Sequence, residues 1–425
     1  MDENLGSAMD RYAALLVRNG VNLQEGQSLR IVAELEHAEL VRLVTAHAYQ
    51  AGARYVHVDW TDTPTTKQRL LHSRREFLDY LPDYEVERHR YMTDHEWARL
   101  SLAGPEFPDI FADTDPNAMR RVTETRGRKL KFYMEAMMAD RMQWCVAGAP
   151  TRAWARQVYP DLSQEDALAQ LWRTVLHVCR ADQPDPVAAW RAHSEAQKRV
   201  IDFLSRHAVR SVRFVDPTPA EDGRPVTDLT VGLTDRPAWV GAAAVTPRGV
   251  QFLPNMPTEE VFSTPHRQRT QGWVRVTKPA FPFMREVNGI YVRFVDGEVV
   301  EYRAEDGQET LDQLFALDGA RRLGEVALVD VRSPINQAGV VFYETLFDEN
   351  AVCHIAFGQA YPGGVDGGAD LPPDELDALG VNRADTHLDV MIGSEAMDVY
   401  GTCADGSVVQ IMERGRFASQ GLEQE

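Results

Sequence analysis

Residues 29–60 read LRIVAELEHAELVRLVTAHAYQAGARYVHVDW, and this stretch decides the fold of the first half of the chain. Leu29 to Ala33 is a short, mostly apolar run with strand character. Leu40, Leu43, Val44, His47, Ala48 and Ala51 then recur at the spacing of one helical face. Gly52 follows, where a helix places its terminating glycine. Tyr55 to Trp60 is a second strand. A strand, a helix of about four turns and a strand make a βαβ unit, and strands so joined lie parallel. Met9 to Val17 reads as a helix ahead of this unit, and Met142 to Ala147 as a later strand of the same sheet.

Outward from there the texture changes. Ser163 to Leu204 is helical, broken at Gln183-Pro184-Asp185-Pro186, because two prolines so close cannot sit inside one helix. Ser163 suits the N-cap, where its hydroxyl accepts a bond from a free N–H of the first turn. Beyond residue 209 strand-like runs follow in quick succession, with Asp296-Gly297 as a hairpin turn. The expected fold is an α/β architecture. An N-terminal parallel-sheet α/β domain, residues 1–190, precedes a C-terminal β-rich α+β domain, residues 191–425, with the boundary within about 184–210.

The 425 residues carry 64 acidic and 45 basic side chains, a formal net charge of −19. That balance argues against nucleic acid and anionic membranes as partners, since both need basic surface, and it admits cationic ligands. No apolar run approaches the ~18–20 residues of a membrane span, and the polar start Met1-Asp2-Glu3-Asn4 is unlike a signal peptide. Cys145, Cys179, Cys353 and Cys403 form no CxxC pair and read as reduced, buried thiols. The expected compartment is the cytoplasm. The basic cluster Arg120, Arg121, Arg126, Arg128, Lys129 and Lys131 reads as a solvated helix face or a subunit contact.

Several chemistries drop out. There is no GxSxG, no phosphate loop and no GxGxxG after the first strand. His95-Glu96-Trp97-Ala98-Arg99 puts arginine where a zinc-binding helix needs its second histidine. What remains is a concentration of potential ligands in the second half. Glu259 and Glu260 follow Asn255-Met256-Pro257-Thr258, and Glu325 stands at the mouth of a strand. His354 lies in an apolar run, with Tyr361 beyond it. His387 and Asp389 stand at i and i+2, which on a strand point to one face. Taken singly, His354 suits a hydrogen-bonded core histidine and Glu325 a surface carboxylate. Together, these carboxylates, imidazoles and a phenol are what first-row divalent metals bind.

These phrases resemble the aminopeptidase T / aminopeptidase S group, the thermophilic metalloproteases. The likeness spans essentially the whole chain. It is strongest at Asn255 to Phe262 (NMPTEEVF), at Leu323-Gly324-Glu325, at His354 to Gly358 with Tyr361, and at Thr386 to Asp389. The resemblance implies a metallo-aminopeptidase that forms a homodimer and takes peptides with a free N-terminus. It implies two divalent ions per subunit (zinc, cobalt, magnesium or manganese) held by Glu259, Glu325, His354, Tyr361, His387 and Asp389. Adjacent residues of an extended segment point to opposite sides, so Glu259 and Glu260 are not expected to share one site. Glu260 is then a candidate general base, or a structural salt bridge or cap. Two other readings stay open: a metal-binding protein without peptidase activity, and a small-molecule binding module on the first sheet.

Overall fold

The computed structural model describes residues 3–108, 110–111 and 113–418; Met1 and Asp2 of the polar amino terminus lie outside the described residues. The chain divides into two compact units, one formed by Met1–Arg191 with Ala243–Pro257, the other by Ala192–Ala242 with Thr258–Glu425.

The first unit is built on the βαβ stretch. Strands β1 (Ser28–Glu34), β2 (Tyr55–Thr61), β3 (Ala98–Ala103) and β4 (Trp144–Gly148) pair in parallel in the order β2-β1-β3-β4. Helix Ala38–Gln50 makes the first crossover and buries Leu40, Val41, Val44 and Ala48. Leu29, Ile31 and Ala33 fill one face of β1. The other face carries Arg30, buried against Asp59 of β2. The Ser163 hydroxyl accepts from the Asp166 N–H and caps helix Gln164–Val178; Pro186 opens the next helix, Pro186–Arg206. Cys145, Cys179, Cys353 and Cys403 are buried and form no disulfide among the described residues.

Residues 243–257 are an excursion that strand and helix periodicity did not reveal. The two-residue strand Asn255–Met256 adds in parallel to the open edge of β4. The Val146 N–H donates to the Pro254 carbonyl at 2.7 Å, satisfying an edge that would otherwise be unpaired. A strand this short carries no alternation to read.

The second unit holds two antiparallel sheets. The larger runs Glu298–Arg303, Tyr291–Val295, Pro265–Arg275, Pro225–Leu233, Val209–Pro219, Asp398–Cys403, Val408–Glu413 and Arg416–Phe417 in spatial order. Its Asp296-Gly297 turn joins the paired residues Val295 and Glu298, and both turn residues have positive φ (49° and 77°), as a type I′ hairpin requires. The smaller sheet consists of β5 (Val261–Ser263), β6 (Leu323–Leu328), β7 (His354–Gly358) and β8 (His387–Met391), side by side in chain order. The two sheets share one apolar core, in which Phe214, Val231 and Phe294 belong to the same cluster as Val261, Val326, Ile355 and Val390.

Candidate metal centre

Strand alternation divides the small sheet into an apolar face and a polar one. Val326, Ile355 and Val390 are direct cross-strand neighbours and lie in the core. One residue out of phase, Glu325, Ala356 and Asp389 form the neighbouring row on the opposite face. His354 and His387, each two positions from a member of that row, join the same face. The centre is thus floored by Ala356, whose methyl leaves open the space that flanking carboxylates and imidazoles surround. A register shift at Gly324 sets Glu325 into this row. A Cβ at Gly324 would overlap the Gln359 carbonyl, so the bulge needs glycine.

The donor atoms converge. His354 Nε2 lies 3.1 Å from Glu260 Oε2, 3.5 Å from Glu325 Oε1 and 4.0 Å from Asp389 Oδ1. His387 Nε2 lies 3.3 Å from Asp389 Oδ1 and 3.7 Å from Glu325 Oε2. These atoms form two overlapping groups with the spacing of metal ligands, Glu260–Glu325–His354 and Glu325–His387–Asp389, and Glu325 belongs to both. The Glu325 residue is 5% exposed and His354 1%, so the surface and core readings of these residues both fail on a simple point. Glu325 is buried, and among the described residues neither ring nitrogen of His354 has a hydrogen-bond partner. Glu260 Oε2 has none either, although it faces His354 Nε2. Ligand atoms aimed at a common centre rather than at one another behave in this way.

Electrostatics point the same way. Burial pushes the Glu325 carboxyl up, and the charges of Glu260 and Asp389 add to that push. Burial opposes protonation of His354, yet Glu260 and Glu325 raise its pKa well above the ordinary value. His387 is pushed up to about 9: burial works against the shift, and Asp389 outweighs it. So many carboxylates in one buried place call for a cation, and protons on the histidines are what supply it when no metal does.

Neighbouring groups fix the geometry. The Nδ1–H of His387 donates to the Gln359 carbonyl at 2.7 Å, which turns Nε2 toward the centre. Asn350 is fully buried, and its Oδ1 accepts from the Glu259 N–H at 2.7 Å. The Gln197 amide donates to the Glu260 carbonyl and accepts from the Ala242 N–H. Tyr361, 36% exposed, lies with its ring 4.6 Å from that of His387 at the rim. Burial and the carboxylates of Glu325 and Asp389 hold its phenol well above the ordinary range in this metal-free arrangement.

Of the seven residues singled out in the sequence, the structure brings Glu260, Glu325, His354, His387 and Asp389 together, with Tyr361 beside them. Glu259 belongs to neither ligand group: its carboxylate lies 3.7 Å from His193 Nε2, and its neighbour Glu260 faces the cluster. The physical reason is strand phase. Phe262 pairs with Ala327, on the face of Glu325, and Glu260 continues that phase; Glu259 is in phase with the core residue Val261. Glu349 is a member that sequence reasoning missed. It follows the short helix Thr345–Asp348, and burial together with the nearby charges of Asp389 and Glu260 raises its carboxyl well above the usual range. A Glu349-Asn350 pair just ahead of the strand Cys353-His354-Ile355 was the available signal.

A sheet face of convergent carboxylates and imidazoles is a candidate site for divalent metal ions. The description "thermophilic metalloprotease (M29)" matches residues 6–417, and the chain belongs to that family. It is 40% identical to aminopeptidase 2 of Geobacillus stearothermophilus, across 96% of this chain and 97% of that one. It is 39% identical to aminopeptidase T of Thermus thermophilus, across 96% and 98%. The solved structure of wild-type AmpT from Thermus thermophilus superposes with a TM-score of 0.87 at 37% identity, covering 97% of this chain and 99% of that chain. The chain is therefore a metal-dependent aminopeptidase, a hydrolase.

Proposed function

We propose that the enzyme removes the N-terminal amino acid of peptides at a dinuclear centre. Glu260, Glu325 and His354 would hold one divalent cation, and Glu325, His387 and Asp389 would hold the other. The observation that carries this reading is the double membership of Glu325 in two candidate ligand groups, one buried and one partly buried. Bound there, two ions supply an acidified water and a polarised scissile carbonyl. The oxygen and imidazole donors suit zinc, cobalt, magnesium or manganese. Glu260, Glu325, Glu349 and Asp389 carry four negative charges when ionised, which two divalent cations balance.

The protein's own groups do the rest. Gln359 holds His387 in one tautomer, and Asn350 anchors the backbone that carries Glu259 and Glu260. Glu349 lies beside both groups without belonging to either, which suits a base that accepts a proton from water and returns it to the leaving amine. Glu349→Gln should keep both metals and lower kcat on the order of 10²-fold or more with little change in KM. Metal content measured beside kinetics separates this from loss of a ligand. Unchanged turnover would remove Glu349 from the mechanism.

Glu259, with its His193 neighbour, we assign to positioning the loop ahead of β5. Tyr361 at the rim becomes a further ligand where nearby cations favour its phenolate. The homodimer rests on the family resemblance. A cytoplasmic setting agrees with four buried cysteines that form no disulfide.

The test is release of p-nitroaniline from aminoacyl-p-nitroanilides. EDTA should abolish it, and zinc, cobalt, magnesium or manganese should restore it. An N-acetylated substrate should be cleaved about 10³-fold more slowly or not at all, since a free α-amine is required. Equal cleavage of the acetylated analogue would sink the exopeptidase reading.

A further inference from the structure

One face of the first unit's sheet carries an ionic layer that the peptidase chemistry does not use. Register makes His57, Arg30 and Arg99 direct neighbours on β2, β1 and β3, so their side chains leave the same face. In a parallel sheet covered by helices that seam is ordinarily apolar. Arg30, 5% exposed, donates Nε to Asp59 at 2.6 Å and Nη1 to the Tyr133 hydroxyl at 3.2 Å. Arg88, on helix Asp83–Asp94, donates to Asp59 at 2.5 Å and to Glu85 at 2.8 Å, and lies 3.0 Å from His57 Nε2. Asp59 and Glu85 are thereby committed.

Arg99 and Arg126 join this cluster without a carboxylate of their own among the hydrogen bonds and ion pairs of the described residues. Arg99 donates Nη1 to the Met137 thioether at 3.0 Å, a weak acceptor, and its solvent-shielded Nε has no partner. The Arg88 Nε is shielded and unpartnered as well. Arg126 comes from helix Pro116–Lys129 and is exposed, so the cluster opens to solvent on that side. Among its neighbours in the basic run, Arg120 pairs with Glu124, Arg121 with Asp79, Lys129 with Asp83 and Lys131 with Glu135. Burial and the nearby Arg30 depress the guanidinium pKa of Arg126; burial does the same for Arg99, where Tyr133 opposes and Arg30 adds. His89, held down to about 4 chiefly by burial, is neutral and adds no charge. Four guanidiniums thus face two carboxylates; Arg30 is buried, Arg88 and Arg99 are half-buried and Arg126 is exposed, so the surplus of positive charge lies where the cluster meets solvent and an anion can reach it.

We infer that this cluster is a binding site for a small dianionic oxyanion, phosphate or a phosphate monoester, held by Arg99 and Arg126 with the Tyr133 hydroxyl beside it. Planar guanidiniums with free N–H groups match the oxygens of such an anion in a bidentate way. The site lies wholly within the first unit and is independent of the metal centre.

The experiment is calorimetric titration of the metal-loaded, full-length protein with inorganic phosphate, in parallel with glycerol phosphate, against chloride at matched ionic strength. Thermal melts under the same conditions report stabilisation. The wild-type protein should bind with saturation and melt several degrees higher in phosphate than in chloride. Arg126→Gln and Arg99→Met should each weaken binding about tenfold or more, because each removes one charge-assisted bidentate contact. Both variants should hydrolyse aminoacyl-p-nitroanilides like the wild type in chloride. Glycerol phosphate binding as tightly as phosphate marks a phosphorylated ligand; phosphate alone marks the free anion. No phosphate-specific response, or the same response in both variants, overturns the proposal; the latter places phosphate at the metals instead. Should Arg99→Met fail to fold, Arg126→Gln on the exposed helix decides alone.

Discussion

On the proposed dinuclear centre, Glu325→Ala should abolish turnover and prevent binding of both metals, the largest single effect expected of any substitution in the chain. Glu325 is the one residue common to the two ligand groups, and it occupies the row between Ala356 and the neighbouring strand β5. Without it, each ion keeps only two of its protein ligands, Glu260 and His354 or His387 and Asp389. The fall in kcat/KM should be on the order of 10⁴-fold or more, because a centre that acts as a unit fails as a unit. A second readout moves the other way. In the metal-free protein Glu325 is a buried carboxylate pushed up by burial and by Glu260 and Asp389, so the metal-free variant should melt no lower than the metal-free wild type. Added metal should raise the melting temperature of the wild type and leave the variant unmoved. A variant that still binds two ions would show that Glu325 does not bridge.

The pair Glu260→Gln and Glu259→Gln carries the second large effect, and it discriminates between strand phase and family resemblance. Glu260 Oε2 faces His354 Nε2 at 3.1 Å, whereas Glu259 lies near His193. Glu260→Gln should therefore lose one of the two ions and at least about 10²-fold in kcat/KM. Glu259→Gln should keep two ions and stay within about tenfold of wild type, the scale of a supporting group. Metal-to-protein ratios measured alongside kinetics give the answer directly. The reverse pattern would restore Glu259 to the ligand set and return Glu260 to the role of base.

Much of this was legible from residue types and spacing. The βαβ run at residues 29–60 contains its own strand, crossover and return strand, so local pattern sufficed for the parallel sheet. The His387-x-Asp389 spacing likewise encodes a shared face because both residues lie on one strand. What escaped depends on contacts distant in sequence. Which of Glu259 and Glu260 faces the centre depends on pairing between β5 and β6, more than sixty positions away in the chain. Glu349 enters the cluster through a loop whose course no periodicity describes. The return of residues 243–257 to the first unit hangs on a two-residue strand at a sheet edge. The ionic layer left a faint trace, an arginine inside the apolar run Leu29 to Ala33, but its partners Asp59, Arg88 and Tyr133 come from three other elements.

The central claim is a dinuclear centre with Glu325 shared. Its most direct test is the metal-to-protein ratio of the wild type, stripped with EDTA, titrated with zinc or cobalt, freed of excess ion and measured by mass spectrometry against protein concentration. Two ions per chain, with peptidase activity returning as they bind and both ions absent from Glu325→Ala, is the predicted result. A single ion at full activity, or activity that survives complete removal of metal, would contradict it.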